Sequence, residues 1–362
     1  MMNVILLGTF DEKHLRIVNI TKALRSQGFN ITHWNIKGNL WVRYFRLIKS
    51  SPKIVRDAIR SKFILVPYPS WRSLLFAKLM SIITRRKLVI DAFISNYNTF
   101  VEDRKYVHPK SLSALSFLMQ DRISCKLADL ILLDTHQHIE YFTKLVSLPN
   151  KKFLRVFVGV DINEQVMKKP REVQSEEPTI FFAGSYIPLH GLRYIIEAID
   201  YLRKNGQKFR FVLIGKGQET EMIDSMIQRL ELGSFIERHT FIPYDQLLSL
   251  IRDMDICLGI FGNTRKARMV IPTKVFDYAA MNKIFITGNS KAMKELFTEG
   301  SDFIGCQFGN AKALFKRLEH TISLLPDLKK KMNPRETVLM HATPEKMGVQ
   351  IVQDLIAKDV LS

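Results

Sequence analysis

Arg265, Lys266, Arg268 and Lys274 fall within ten residues of one another, and no carboxylate interrupts them before Asp277. The apolar run at 256–260 before them has no helical period and carries Gly259, which predicts a buried strand. A loop over 261–273 then leads into a helix over 274–281. After the polar break Asn282-Lys283 a second strand follows over 284–287. Pro272 stiffens the start of the helix and Thr273 can cap it. A cationic loop running into a helix N-terminus suits a diphosphate: free backbone N–H groups and the helix dipole face the anion, and Arg and Lys neutralise it. Asp277 lies about one turn inside that helix, where a carboxylate can accept hydrogen bonds from two ribose hydroxyls. Taken alone, the charges favour a plainer reading, a solvated basic loop beside a core helix.

Other candidate groups are weighed the same way. Asp91 ends a strand at 88–91, and a carboxylate at the C-terminal end of a parallel strand points into the crevice where such sheets bind ligands. Asp103 is the second candidate there; capping of the next turn is the plainer role for Asp91. His136 and His138 suggest a metal pair, but no third ligand is near and Thr135 reads as the N-cap of the next helix. Asp253 and Asp255 form a D-x-D, yet Asp255 directly starts a strand, so both read as structural and no metal site is expected.

The elements that must position these groups follow from local pattern. Residues 3–8 read as a buried strand with an exit turn at Gly8-Thr9. Residues 14–27 read as a helix closed by Gly28, and 31–36 as a second strand. Strand, helix, strand predicts an α/β fold with a parallel, doubly wound sheet. The turn is not a G-x-G-x-x-G fingerprint, so a dinucleotide is not expected here. Residues 163–178, polar and without apolar period, read as a linker, and a second strand–turn–helix begins at Thr179 with Gly184-Ser185 at its turn. At 362 residues the chain suits two domains. The opening MMNVILLGTFDEK reads as a strand followed by acidic residues rather than a signal peptide, and no apolar run reaches bilayer-spanning length. Cys125, Cys257 and Cys306 read as buried free thiols in a reducing compartment.

The net charge of +19 is uneven: residues 1–160 hold 26 Lys and Arg against 10 Asp and Glu, and the remainder holds 28 against 25. The excess concentrates at 41–62, where Arg43, Arg46 and Lys49 interleave with Trp41, Phe45 and Ile48 and Pro52 is expected to divide two helices. It continues at 71–87, ending in Arg85, Arg86 and Lys87. Such stretches suit an anionic bilayer surface, an ordinary amphipathic helix, or, further behind, RNA.

The run IPTKVFDYAAMNKIFITGNS resembles the nucleotide-sugar site of glycosyltransferase family 4, the glycosyl transferases group 1. FFAGSYIPLHGLRYIIEAIDYLR (181–203), FVLIGKGQE (211–219), FIPYDQLLSLIRDMDICLGI (241–260), DRISCKLADLILLDTHQH (121–138) and FVGVD (157–161) resemble further family segments in the family's order. The resemblance implies the GT-B architecture, two Rossmann-like domains facing a cleft. An acceptor domain would span 1–162, a linker 163–178 and a nucleotide-sugar domain 179–340, with a helix in 341–362 returning to the first domain. It implies a donor site of Gly184, Ser185, His190, Tyr244, Lys266, Arg268, Lys274 and Asp277. The implied reaction is transfer of a sugar from a UDP- or GDP-sugar to an acceptor hydroxyl, without metal or cofactor. Asp91 would be the base if the reaction inverts. The setting would be envelope polysaccharide or glycolipid synthesis on a lipid-linked or saccharide acceptor, in the cytoplasm or on the inner face of the membrane. Two departures stand out. Ser185 and His190 replace the Arg and Lys that many members carry, and Met269 stands where retaining members have the first of two glutamates, so stereochemistry does not carry over. The rivals are a sugar-nucleotide epimerase of the same architecture and a non-catalytic basic nucleic-acid-binding protein.

Overall fold

The computed structural model describes residues 2–162 and 177–361, which form two compact units. One comprises Met1–Gly159 with Ala342–Ser362, the other Val160–His341. Most of the expected linker, 163–176, lies outside the described residues.

In the first unit, short apolar runs form β1 (Met2–Gly8), β2 (Phe29–Asn35), β3 (Ser61–Val66), β4 (Lys87–Asp91), β5 (Leu130–Leu133) and β6 (Phe153–Arg155). They pair in parallel in the order β2-β1-β3-β4-β5-β6, with Ile5 opposite Thr32 and Leu65 opposite Val89. Helices on both faces bury such a sheet, which is why its strands read as continuous apolar runs. The C-terminal helix Pro344–Ala357 packs on Leu15–Ser26, and Met347, Ile351 and Leu355 join Val4, Leu6, Ile17 and Ile20 in one core. Gly348 permits the close approach, because a Cβ there would overlap the Ala23 carbonyl.

Pro52 does not divide its stretch: one helix, Leu40–Ile59, runs through it. Proline lacks the N–H that would bond the Ile48 carbonyl, and the Ser51 hydroxyl donates to that carbonyl instead at 2.7 Å. Among the described residues no helix is long and apolar enough to cross a membrane.

The second unit repeats the plan with β7 (Thr179–Ala183), β8 (Arg210–Ile214), β9 (Ile236–His239), β10 (Ile256–Leu258), β11 (Ile284–Gly288) and β12 (Ile304–Cys306), all parallel in the order β12-β11-β10-β7-β8-β9. Its core gathers Phe182, Ile195, Ile199, Phe211, Leu213, Ile256 and Leu258. β10 stops two residues short of the expected 260, because the Ile260 N–H donates to the Thr287 hydroxyl at 3.1 Å instead of to a strand carbonyl. The following helix is Thr273–Ala280, with extended Pro272 at the N-cap and no side-chain cap, so Thr273 is its first residue and not its cap.

In each unit the chain winds to one side of its first strand and then crosses to the other, placing a switch point between β1 and β3 and between β7 and β10. Open parallel sheets bind ligands outside the strand C-terminal ends at such a point.

Candidate functional site

At the C-terminal ends of β7 and β8 in the second unit lies a pocket of about 470 Å³. Gly184, Ser185, Gly215 and Lys216 line it from the two strand exits, and Lys274 and Asp277 from the helix after the basic loop. Ile214, Phe241, Ile242 and Tyr278 supply apolar wall. Gly184 is required by space: a Cβ there would stand 2.7 Å from Lys274 Nζ and 2.9 Å from His190 Cε1. His190 Nδ1 pairs with the Ser185 carbonyl and so holds the turn in shape.

Lys274 Nζ is buried 3.7 Å from the centroid of the Phe182 ring, with no hydrogen-bond partner among the described residues. Desolvation pushes its pKa well below the ordinary value. One turn along the helix, Asp277 accepts a hydrogen bond from the Tyr244 hydroxyl at 2.8 Å. Burial pushes the Asp277 carboxyl up to about 7, and the Tyr244 bond pulls the other way. Burial, and then the Asp277 charge, push the Tyr244 phenol up in turn. A pocket with an uncompensated buried amine at one side and a carboxyl poised near neutrality at the other is arranged for a ligand carrying both an anion and hydroxyls.

The remaining loop cations do not line this pocket. Arg268 turns back into its own loop, donating to Asn263 Oδ1 at 2.8 Å and the Thr264 carbonyl at 3.0 Å, with its guanidinium 5.0 Å from the Phe308 ring centroid. Lys266 is buried in the short turn Lys266–Arg268. An amine that sequence reading passed over, Lys216, takes their place. It sits between two glycines just after β8, and the G-x-G spacing was its signal. Phe182 and Phe241 gave no such signal.

In the first unit Asp91 does end β4, but its carboxylate is not offered to a crevice. Arg16 Nε donates to both carboxylate oxygens at 3.0 Å and Arg16 Nη2 lies 2.9 Å from Oδ1, with both side chains buried. Arg16 Nη1 also donates to the Val156 carbonyl at 2.7 Å. A buried carboxylate needs such a partner, and the partner lies 75 residues away. Asp103 is buried at the end of the turn Asn98–Asp103. Sequence reading also passed over the ring cluster of His14, Tyr68 and Phe93, whose centroids lie 5.9–6.3 Å apart.

Of the basic surface residues, Arg46, Lys49 and Arg85 are exposed, and Arg86 donates to the Ile59 carbonyl. Arg43 is only 7% exposed, because it shares the inner helix face with Leu47, Ile54 and Ala58. His138 Nδ1 bonds Asp134 at 2.7 Å, and the His138 backbone N–H donates to Thr135 Oγ1, the cap expected there. Asp255 accepts from the Thr179 N–H at 2.8 Å and pairs with Lys329. All three cysteines are free and buried.

Residues 163–336 match the family model described as glycosyl transferases group 1. The matched stretch lies within the second unit. It contains all the residues that line the pocket around Lys274. No curated protein sequence matches the chain. Solved structures resemble it over its full length. A glycosyltransferase from Rickettsia africae is 16% identical with a TM-score of 0.71, covering 100% of this chain and 99% of that one. Sucrose-phosphate synthase from Thermosynechococcus elongatus is 13% identical with a TM-score of 0.73, both chains covered completely. Anabaena HepE in complex with UDP is 14% identical with a TM-score of 0.72, covering 99% and 100%. At these identities the likeness establishes the fold, the two-domain α/β architecture of GT-B glycosyltransferases.

Proposed function

We propose that this protein transfers a sugar from a nucleoside-diphosphate sugar, with UDP or GDP as the carrier, to an acceptor hydroxyl. The observation that carries this reading is the buried, unpartnered amine of Lys274 facing a pocket built from two glycine turns. A diphosphate there would restore the charge that burial suppresses, and Lys216 would share the anion. Neutralising the departing diphosphate in this way stabilises the leaving group without a metal ion. Asp277, braced by Tyr244, would accept from the ribose hydroxyls, and the Phe241–Ile242 wall would take the base. The group 1 match and the HepE complex with UDP support the nucleotide. We assign Asp91 to holding the first unit together, since its carboxylate is spent on Arg16. The setting we propose is hexosyl transfer to an envelope polysaccharide or glycolipid at the inner membrane face.

A thermal-shift panel of UDP, GDP and other nucleoside diphosphates, run with and without EDTA, tests this. A ligand at a hundredfold excess over its Kd stabilises by about 2.7 kcal/mol, so one nucleotide should raise the Tm in EDTA. Strict dependence on a divalent ion, or no shift with any nucleotide, overturns the reading.

A further inference from the structure

We propose that one helical face of the first unit seats on an anionic lipid bilayer and that the acceptor is lipid-linked and met within that bilayer; the second clause rests on the glycosyl-transfer reading. The helices Leu40–Ile59, Leu74–Thr84 and Leu112–Leu127 connect strands that step in the same direction across the sheet, so right-handed crossovers place all three on one face. They pack each against the next. Each buries one stripe on the sheet and turns a second apolar stripe outward: Trp41 and Phe45, Leu75 and Leu79, Leu112 and Leu115. Leu112 is 86% and Trp41 82% exposed. Three adjacent helices presenting apolar stripes to solvent mark an interaction surface.

Charge selects the occupant. Arg46, Lys49, Lys53, Arg56 and Lys126 stand exposed on the same helices. Of the two carboxylates there, Asp57 accepts from the Trp34 indole and pairs with Arg56 at 3.4 Å, and Asp121 is buried beneath Ser95, so Arg46, Lys49, Lys53 and Lys126 remain without a carboxylate on these helices. A second copy of this chain would set like charge against like, whereas exposed apolar side chains sharing their helices with cations complement an anionic headgroup layer. Trp71, on the same layer, also lines a small pocket with Tyr68 and Asn96 beyond the ends of β3 and β4, the edge where such sheets bind ligands. The patch therefore runs up to the place where an acceptor would enter, and a lipid-linked hydroxyl would reach it without leaving the bilayer.

Flotation of the full chain with phosphatidylglycerol–phosphatidylcholine vesicles, against phosphatidylcholine alone, tests this. The protein should float with the anionic vesicles, and the floated fraction should fall as salt screens the cations. Leu112→Ser with Leu115→Ser, and separately Trp41→Ser with Phe45→Ser, should lower it several-fold with the Tm unchanged. Arg46→Glu with Lys49→Glu should lower it as well. Equal recovery with both vesicle types, anionic binding untouched by the stripe variants, or salt-sensitive binding to RNA without vesicle binding would each overturn the proposal. The nucleotide-induced Tm shift is measured alongside: no flotation with an intact shift sinks this inference alone, and an absent shift sinks the glycosyl-transfer reading.

Discussion

Lys274 Nζ stands 3.7 Å from the centroid of the Phe182 ring, and among the described residues no oxygen accepts a hydrogen bond from it. The ring face offers a cation partial compensation, but burial still drives the amine well below its ordinary 10.5. Between the lowered value and 10.5 the unfolded chain holds a proton that the folded chain has released, so this residue costs stability at neutral pH and costs more as pH falls. Lys274→Met keeps the length and removes the amine. The ligand-free variant should melt higher than the parent at pH 7, while nucleoside-diphosphate affinity falls by about 1.5–3 kcal/mol through the lost charged hydrogen bonds. Calorimetry reads the second quantity, and unchanged affinity would show that the anion sits elsewhere.

Asp277 titrates in the opposite sense. Burial raises its carboxyl from the ordinary 3.8 to about 7. Between those values the folded protein keeps a proton that the unfolded chain has lost, so stability is highest on the acid side and declines as pH climbs through about 7. Asp277→Asn should remove that decline and gain on the parent by up to about 4 kcal/mol between pH 4 and pH 8. Tyr244→Phe, which deletes the bond that lowers the Asp277 pKa, should move the inflection upward. Urea unfolding across pH decides this, and parallel curves for parent and Asp277→Asn would refute it. Nucleotide affinity of the parent should rise through the same interval, because the ionised carboxylate is the better acceptor for ribose hydroxyls. Asp277→Ala should weaken nucleotide binding by roughly 1–3 kcal/mol.

The Arg16–Asp91 pair should behave as a structural charge pair. Asp91→Ala leaves a buried guanidinium uncompensated and should cost about 3–5 kcal/mol in denaturant unfolding. Replacing both, Arg16→Met with Asp91→Leu, should recover much of that loss, since apolar side chains need no counter-charge. If Asp91→Ala folds with parental stability and fails only in sugar transfer, Asp91 is the base after all.

Much of the fold is written locally. The strands around the pocket show as short apolar runs because a sheet covered on both faces needs them. Lys274 and Asp277 are legible together because they lie three residues apart on one helix and so share its face. The glycine turns are legible for a similar reason: backbone that approaches a ligand cannot carry a Cβ.

What the local pattern leaves open is where each charge is spent. Four cations within ten residues announce a basic loop, but only Lys274 among them lines the pocket. Arg268 is claimed by Asn263 and Phe308, and Lys216 arrives from another strand. Asp91 promises a crevice carboxylate until the fold brings Arg16, on the helix Leu15–Ser26 after β1, to the end of β4 across a gap of 75 residues. Arg43 reads as surface until helix phase turns it toward the sheet. Sequence alone therefore determined the element types, the doubly wound plan and the helix that carries the site, because hydrophobic period and turn chemistry act over a few residues. Tertiary structure alone decided which ionisable groups are paired and which are left buried without a partner, because desolvation and counter-charge depend on neighbours that are distant along the chain.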